Sequence, residues 1–448
     1  MNTTPSESVW DRNRTLLKGL LIGFLILIML IPQVFIQNLV REREQRRQEV
    51  VEEVSSKWAS SQNITGPLLV VPYLSTDEKT QVQERRNAYF LPGQLKINGK
   101  LLPEVRKRSL YSVTLYHSDL ELTGRFDALP LQKLQIDPSQ VLWNEVKLVI
   151  GIDDARGLEE EVVLNWNNTP ATMEAGVPEN GVVADGLSTI VNAQSGGSFS
   201  MRMRLKGSDY LHFTPVGKTT EVTLQSSWKD PKFDGQYLPS QQAEISDKGF
   251  SAQWKVMQVS RSYPQYWTKT DVQVRSSAFG VQLIQPTDNY AKTDRSVKYA
   301  LLFIGLTFVV FFFIELLQKK QIHPLQYLMV GLALCIFYTL LLSVSEYTGF
   351  DPAYLIAASA TVGLIGTYVW GIFRKGKTAF GFTAALAGLY GYIYILIQLQ
   401  DYALLFGSIG LFAILAIIML YSRKIDWYNT GRHTPPSLPQ PSPVNDPL

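Results

Sequence analysis

Hydrophobic residues concentrate in six stretches, each close to the ~20 helical residues that cross the ~30 Å hydrocarbon core of a bilayer. The predicted spans are Leu16–Ile36, Tyr299–Leu317, Leu325–Ser343, Ala353–Phe373, Thr378–Ile397 and Tyr402–Tyr421. A proline at the first helical position is typical of helix starts, so Pro324 and the pair Asp351-Pro352 mark two span beginnings. The pattern predicts a multi-pass membrane protein.

The first apolar stretch has two interpretations, a cleaved signal peptide and a permanent anchor. Arg12, Arg14 and Lys18 form a basic segment at its start, as in a signal peptide. The apolar run is long, however, and continues through Gln33-Val34-Phe35-Ile36-Gln37 without a small-residue cleavage site. We therefore expect an uncleaved anchor.

Beyond this anchor the only apolar stripe consists of Val50, Val54 and Trp58, at four-residue spacing. Residues 41–47 are polar, with glutamates interleaved among the arginines. This pattern predicts a polar helix, here called the stalk, whose single apolar stripe docks on another part of the protein. An alternative is that the basic residues contact anionic lipid headgroups.

From Gly66 onward the hydrophobic period changes from helical to two, which is typical of half-buried strands. Met201, Met203 and Leu205 alternate with basic residues, for example, and Asn98-Gly99 has the composition of a hairpin turn. Many short strands without a long amphipathic helix predict a mainly-β, sandwich-like domain. One large sandwich and two small ones both fit the length.

Composition explains why the mean hydropathy of this 448-residue chain is close to zero. Only nine Asp, Glu, Lys or Arg residues fall within 299–422, whereas the rest of the chain is rich in charge. Cys335 is the only cysteine, so a disulfide scaffold is excluded. The formal net charge of +3 gives no indication of nucleic-acid binding.

Lysine and arginine in the short loops predict the orientation. Basic residues occur at 319–320, 374–377 and 423–424, and the alternate loops have none. Both termini are then cytoplasmic and residues 38–298 are exported. An exported domain of this size without cysteine suits a bacterial periplasm. The predicted domains are an N-terminus with its anchor (1–37), the stalk (38–60), the periplasmic β-rich domain (61–298), a five-span bundle (299–422) and a disordered proline-rich tail (423–448).

Two polar segments of the β-rich domain are candidates for chemistry. His117-Ser118-Asp119 follows a predicted strand, and three adjacent residues cannot form a catalytic relay, so we interpret it as a turn. Asp153-Asp154-Ala155-Arg156-Gly157 suits a carboxylate–guanidinium clamp or a sharp turn with Gly157 at positive φ. Acid/base work by the two aspartates is a third possibility if their pKa values differ. No motif indicates a metal or a cofactor.

No Asp, Glu, Lys or Arg lies near the middle of any of the last five predicted spans, which disfavours an ion-driven pump. Glu315 lies near one end of its span, four residues before Lys319. Small residues recur every fourth position at Gly363-Thr367-Gly371, Ala384-Gly388 and Ala387-Gly391. Such ridges favour close packing within the bundle, or dimerisation.

Six segments together resemble the bacterial inner-membrane CreD family over about residues 16–428. They are Tyr116–Leu120, Asp154–Gly157, Thr293–Ala300, His323–Leu328, Ser345–Phe350 and Ile425–Tyr428. The family-motif positions of unknown role are His117, Asp119, Asp154, Arg156, Gly157 and Glu346. The resemblance implies an envelope-integrity and stress-response role under a sensor kinase and its response regulator, and it implies no established reaction.

Three hypotheses about function follow. The first is a non-enzymatic envelope protein whose periplasmic domain binds a glycan, lipid or protein, with the bundle as its platform among inner-membrane lipids. The second is a transporter of lipid or another envelope component that uses a neutral groove in the bundle. The third is a membrane-bound envelope hydrolase or transferase. We expect no catalytic, cofactor-binding or metal site and no nucleic-acid partner, and the sequence leaves the oligomeric state open.

Overall fold

The computed structural model describes residues 14–76, 83–178, 182–269, 272–284, 289–318, 320–399 and 402–423. The chain divides into two compact units. The helical unit comprises Met1–Gln45 and Thr287–Leu448, and the β unit comprises Arg46–Pro286. Residues 424–448 of the predicted proline-rich tail lie outside the described residues.

Eight α-helices are described. They are α1 (Arg14–Ile28), α2 (Leu30–Trp58), α3 (Asn289–Lys298), α4 (Ala300–Gln318), α5 (Pro324–Thr348), α6 (Phe350–Phe373), α7 (Gly376–Gln398) and α8 (Ala403–Ser422). Six helical segments are long and apolar enough to cross a membrane, which confirms the predicted spans. The predicted stalk is also helical, because α2 continues to Trp58.

Of the two helix starts predicted from proline, the structure confirms the one at Pro324 and places the other before Pro352. Pro324 is the first residue of α5, and His323 caps that helix by accepting a hydrogen bond from the Leu325 amide at 3.3 Å. Helix α6 begins earlier than predicted, at Phe350 after Gly349, so Asp351 lies in its first turn and is not the capping residue. A carboxylate there still complements the positive end of the helix dipole.

The β unit contains 17 described strands in two sheets. They are β1 (Gln62–Thr76), β2 (Gln83–Phe90), β3 (Gln94–Arg108), β4 (Tyr111–Phe126), β5 (Lys147–Ile152), β6 (Val163–Trp166), β7 (Thr169–Thr172), β8 (Glu174–Ala175), β9 (Gly186–Ile190), β10 (Gly197–Ser208), β11 (Tyr210–Thr214), β12 (Thr219–Ser226), β13 (Pro231–Gly235), β14 (Glu244–Ser246), β15 (Gly249–Met257), β16 (Tyr266–Trp267) and β17 (Phe279–Leu283).

The nine-stranded first sheet has the order β13-β17-β11-β1-β5-β9-β8, with β2 paired to β1 and β16 paired to β2. The eight-stranded second sheet has the order β14-β15-β12-β3-β4-β10-β6-β7. Pairing is antiparallel except for β1 with β11 and β3 with β12. One continuous hydrophobic core takes residues from both sheets, so the β unit is one large sandwich-like domain.

Strand β10 confirms the predicted alternation. Met201, Met203 and Leu205 are buried in the core, and Arg202 and Arg204 are exposed on the other face. Each exposed arginine lies beside a carboxylate, Asp119 for Arg202 and Glu160 for Arg204. Both exposed arginines of β10 are therefore close to an acidic partner.

Two predicted turns are wrong, because sheet pairing overrides local turn preference. Asn98-Gly99 lies inside β3, where Gly99 is packed so tightly that a Cβ atom would lie 2.7 Å from a methyl carbon of Leu224. His117-Ser118-Asp119 lies inside β4, where its residues pair with both β3 and β10. The hairpin between β3 and β4 instead turns at Ser109, which has φ 57°.

The interpretation of the small-residue ridges as packing surfaces within the bundle is also wrong. A Cβ atom added at Gly363, Gly371, Gly388 or Gly391 would meet nothing within 4 Å. Helix α6 approaches α7 at a different glycine, Gly366, where a Cβ atom would lie 2.6 Å from Thr383 Oγ1. The four-residue period was correct, but it marks open faces of α6 and α7.

Candidate functional site

Four of the five motif residues of the β unit lie at the C-terminal end of the stalk helix, namely His117, Asp154, Arg156 and Gly157. Asp154, only 8% exposed, holds the chain that leaves the stalk, because its Oδ2 accepts a hydrogen bond from the Ser60 amide at 2.9 Å. Arg156 binds the same carboxylate through two bonds, Nε to Oδ1 at 2.8 Å and Nη2 to Oδ2 at 2.7 Å. The predicted carboxylate–guanidinium clamp is confirmed.

Arg156 also reaches the helix itself. Its Nη1 donates to the Ser56 carbonyl oxygen at 3.0 Å, in the last turn of α2. The last carbonyl groups of a helix lack partners within the helix and carry partial negative charge, so a guanidinium at this place stabilises the helix end.

Gln62 and Gly157 complete this junction. Buried Gln62 accepts a bond from the Asp154 amide at 3.1 Å and donates to the carbonyl oxygens of Asp154 at 2.9 Å and Lys206 at 3.0 Å. Gly157 does not have the predicted positive φ. It is required for close approach, since a Cβ atom there would lie 2.5 Å from the Lys206 carbonyl oxygen. We call Gln62, Asp154, Arg156 and Gly157 the stalk latch.

Trp58, the last residue of the stalk helix, packs against His117, Arg106 and Lys206. His117 contacts the indole edge-on with ring centroids 5.3 Å apart, and the Arg106 guanidinium lies 4.0 Å from the ring centroid. His117 Nδ1 is held 3.0 Å from Glu159 Oε1. The predicted docking of the stalk stripe is thus confirmed at its end, and His117 acts there as a packing partner.

A cleft of about 770 Å³ opens beside the latch. It is lined by Ser60, Ser61, Thr65, Gly151, Ile152, Asp153, Asp154, Ala155, Arg156, Val182, Val183, Ala184, Asp185, Tyr210 and Arg275. We call this the latch cleft. Its volume is within the range of ligand sites, which are typically about 300–1,000 Å³ with a few convergent polar groups.

The two neighbouring aspartates of the cleft have different electrostatic environments. The hydrogen bonds from Arg156 are the main reason why the pKa of Asp154 falls from 3.8 to about 2. Burial raises the pKa of Asp153 above 3.8, although Arg275, which forms an ion pair with it, acts in the opposite direction. Asp154 is therefore fully ionised at neutral pH, and Asp153 is the more easily protonated of the two.

Asp119 belongs to a different surface from the latch. On the open face of the second sheet it accepts a bond from Arg202 Nε at 2.8 Å and a second from Nη2. A polar groove of about 660 Å³ crosses this face, and Lys100, Asp119, Glu121 and Arg202 are its charged lining residues. The structure thus brings His117 to the stalk but leaves Asp119, two residues away, on the open face.

Glu346 lies in the helical unit, near the end of α5. It accepts a hydrogen bond from the Tyr290 hydroxyl at 3.0 Å, and Arg43 Nε from helix α2 lies 4.0 Å away. Asn289 of α3 adds a bond to the Ser345 carbonyl oxygen at 3.2 Å. Glu346 is thus part of a network that ties α2, α3 and α5 together.

Glu315 has a partner that sequence spacing missed. Lys319 lies outside the described residues, and Glu315 forms an ion pair with Lys18 of α1. Glu315 also accepts bonds from the Tyr327 hydroxyl at 2.8 Å and the Ile322 amide at 3.0 Å. The anchor helix is therefore linked to the bundle through an ion pair whose carboxylate is buried.

Within the part of the chain that the structure describes, no three His, Cys, Asp or Glu residues converge as a set able to hold an ion. In the latch cleft, Asp153 and Asp154 each form an ion pair with an arginine.

Comparison with known proteins gives the chain a family. The family described as "Inner membrane protein CreD" matches residues 14–428. The protein of that name from Escherichia coli (strain K12) is 33% identical over 417 residues, which cover 90% of this chain and 91% of that protein. The chain belongs to the CreD family. With six candidate spans, this CreD-family protein is a multi-pass protein of the inner membrane.

A solved structure from Parabacteroides distasonis ATCC 8503, described as a "putative protease", matches 56% of this CreD-family chain and 50% of its own. The sequence identity is 9% and the TM-score is 0.23. A likeness at this level carries no argument about fold or activity.

Proposed function

We propose that this protein supports cell-envelope integrity as a binding protein, with residues 38–298 exported to the periplasm and both termini in the cytoplasm. In this proposal the β unit holds a neutral, hydroxyl-rich envelope glycan in the latch cleft, and the helical unit is its platform in the membrane. The protein performs no reaction on the glycan. The orientation rests on the alternation of loops with and without basic residues.

The observation that carries the proposal is the position of the latch cleft. A ligand there contacts Asp154 and Arg156, the residues that fix the stalk, so binding and stalk attachment involve the same side chains. The charged lining consists of three aspartates and two arginines, which disfavours an anionic ligand. Hydroxyl groups suit this lining because they donate to carboxylates and accept from guanidinium and tyrosine hydroxyl groups.

The proposal is tested by titrating the full-length protein in nanodiscs with fluorescent glycan strands released from the cell wall. Asp153→Asn with Arg275→Gln changes the cleft and leaves the latch intact. We expect the Kd to rise by about tenfold or more, the effect of losing one or two polar contacts. The matched control is Glu221→Gln with Lys255→Gln, an exposed ion pair on the second sheet. Equal binding by both double variants, or no binding by the parent protein, would contradict the proposal.

Orientation has a separate test. Cys335 is buried, so a single cysteine introduced at Lys255 is the accessible thiol among the described residues. We expect an impermeant maleimide to label it in cells whose outer membrane has been permeabilised and whose inner membrane is intact. Labelling only after inner-membrane lysis would reverse the proposed orientation.

A second candidate function, glycan hydrolysis in the same cleft, is favoured by the opposite pKa shifts of Asp153 and Asp154. A hydrolase would use Asp153 as the proton donor, since its pKa is the raised one. Mass spectrometry of the glycan after incubation separates the two functions. Unchanged strand length supports binding alone, and shortening that Asp153→Asn abolishes supports hydrolysis.

A further inference from the structure

The helical unit contains a gap that its own side chains do not fill. A groove of about 420 Å³ runs between α4, α7 and α8. Protein interiors are normally packed without such voids, because atoms lining an empty space lose their dispersion contacts. Something other than this unit's side chains therefore occupies the groove in a membrane.

The lining shows which chemistry the occupant has. Only two side-chain hydroxyls belong to it, those of Thr307 and Tyr392, and each already donates to a backbone carbonyl oxygen. The Thr307 hydroxyl bonds Phe303 O at 2.8 Å, and the Tyr392 hydroxyl bonds Phe406 O at 2.7 Å. The other lining residues are apolar, so a polar ligand or water would lose hydrogen bonds there without replacement.

The length of the groove matches one membrane leaflet. On α7 the lining extends from Phe382 to Tyr392, which at 1.5 Å per residue is about 15 Å. The hydrocarbon core of a bilayer is about 30 Å thick, so one acyl chain spans about half of it.

Glycines on two helices shape the groove. A Cβ atom at Gly410 of α8 would lie 1.9 Å from the Tyr392 hydroxyl oxygen, so Tyr392 reaches the α8 backbone only because residue 410 is glycine. On α7, Gly388 belongs to the lining, and a Cβ atom there would meet nothing within 4 Å. A larger residue at position 388 would therefore enter the space of the groove.

We propose that the groove between α4, α7 and α8 is a binding site for one acyl chain of a membrane phospholipid. This site is independent of the latch cleft and of the glycan proposed there. The acyl chain lies along α7 and α8. Its methylene groups contact the backbone of α7 at Gly388.

The test uses the full-length protein in nanodiscs of phosphatidylethanolamine and phosphatidylglycerol that contain a phosphatidylethanolamine with a diazirine in one acyl chain. After irradiation, mass spectrometry locates the modified residues. We expect labelling to concentrate on the groove-lining residues of α7 and α8. Gly388→Leu should reduce it by about tenfold, which corresponds to the loss of about two buried methylene groups.

Gly391→Leu is the matched control, because Gly391 is on the same helix, is equally open and lies outside the groove lining. It should leave the labelling unchanged. Uniform labelling around the helices, or an equal loss in both variants, would show annular lipid only and overturn the proposal. Cross-links from the groove to a second copy of this chain would also overturn it.

Discussion

Substitution of Arg156 by glutamine tests the assignment of the motif residues to the stalk junction. The variant removes both bonds to Asp154 and the bond to the Ser56 carbonyl oxygen, while its size remains similar. We expect the last turn of the stalk helix to open more often and the sheets of the β unit to remain folded.

The magnitude follows from the electrostatics of Asp154. A carboxyl whose pKa falls from 3.8 to about 2 has its charged form stabilised by about 2 kcal/mol. Arg156 is the largest cause, but its side chain is 66% exposed, so solvent screening reduces its share. The lost bond to the Ser56 carbonyl oxygen adds to this effect. We therefore expect the free energy of local opening to fall by about 1–2 kcal/mol.

The assay is amide hydrogen exchange of the full-length protein in nanodiscs, followed by mass spectrometry of peptides that cover residues 55–62. A fall of about 1–2 kcal/mol accelerates exchange there by about 5–30-fold. Arg202→Gln is the matched control, because Arg202 makes the same two-bond contact with Asp119 away from the stalk. Equal acceleration in both variants, or none in Arg156→Gln, would refute the assignment of Arg156 to the stalk latch.

Three other predictions concern the latch and the buried pair of the helical unit. Asp154→Asn should destabilise the β unit by an amount that is constant between about pH 5 and 7 and becomes smaller as the pH falls from about 4 to 2, because a carboxylate with a lowered pKa loses its stabilising contribution when it is protonated. Denaturant unfolding at several pH values measures the difference between parent and variant, and a difference that grows in acid contradicts the prediction. Gly157→Ala should lower the stability of the β unit by about 1–3 kcal/mol, since its Cβ would lie 2.5 Å from the Lys206 carbonyl oxygen, and an unchanged thermal midpoint argues against this close packing. Lys18→Met and Glu315→Gln should each destabilise the helical unit, and the stability lost in the double variant should be about 1–3 kcal/mol smaller than the sum of the two single losses. Additive losses of stability in a detergent melting assay would mean that the two residues are not coupled.

Hydrophobic periodicity predicted the elements well wherever one face of a helix or strand is buried. The six spans and the alternation of β10 are examples, because burial there is decided by the residues of the segment itself. The Asn98-Gly99 turn failed for a nonlocal reason. Its residues lie in the middle of a sheet between β4 and β12, and this pairing outweighs the turn preference.

The site was only partly predictable for the same reason. The contact between Asp154 and Arg156 depends on residues two positions apart and could be inferred from their spacing. Gln62 could not be identified, because it joins residues 154 and 206, which only the folded sheets bring together. The four-residue spacing of small residues also does not show which face of a helix packs against a neighbouring helix. Gly363 lies on an open face of α6.

Amide hydrogen exchange with and without soluble cell-wall glycan strands tests whether glycan binds in the latch cleft. We expect saturating glycan to slow exchange in the peptides covering residues 60–65 and 151–156 of the full-length protein in nanodiscs. Protection confined to the groove around Asp119, or no protection anywhere in the β unit, would contradict it.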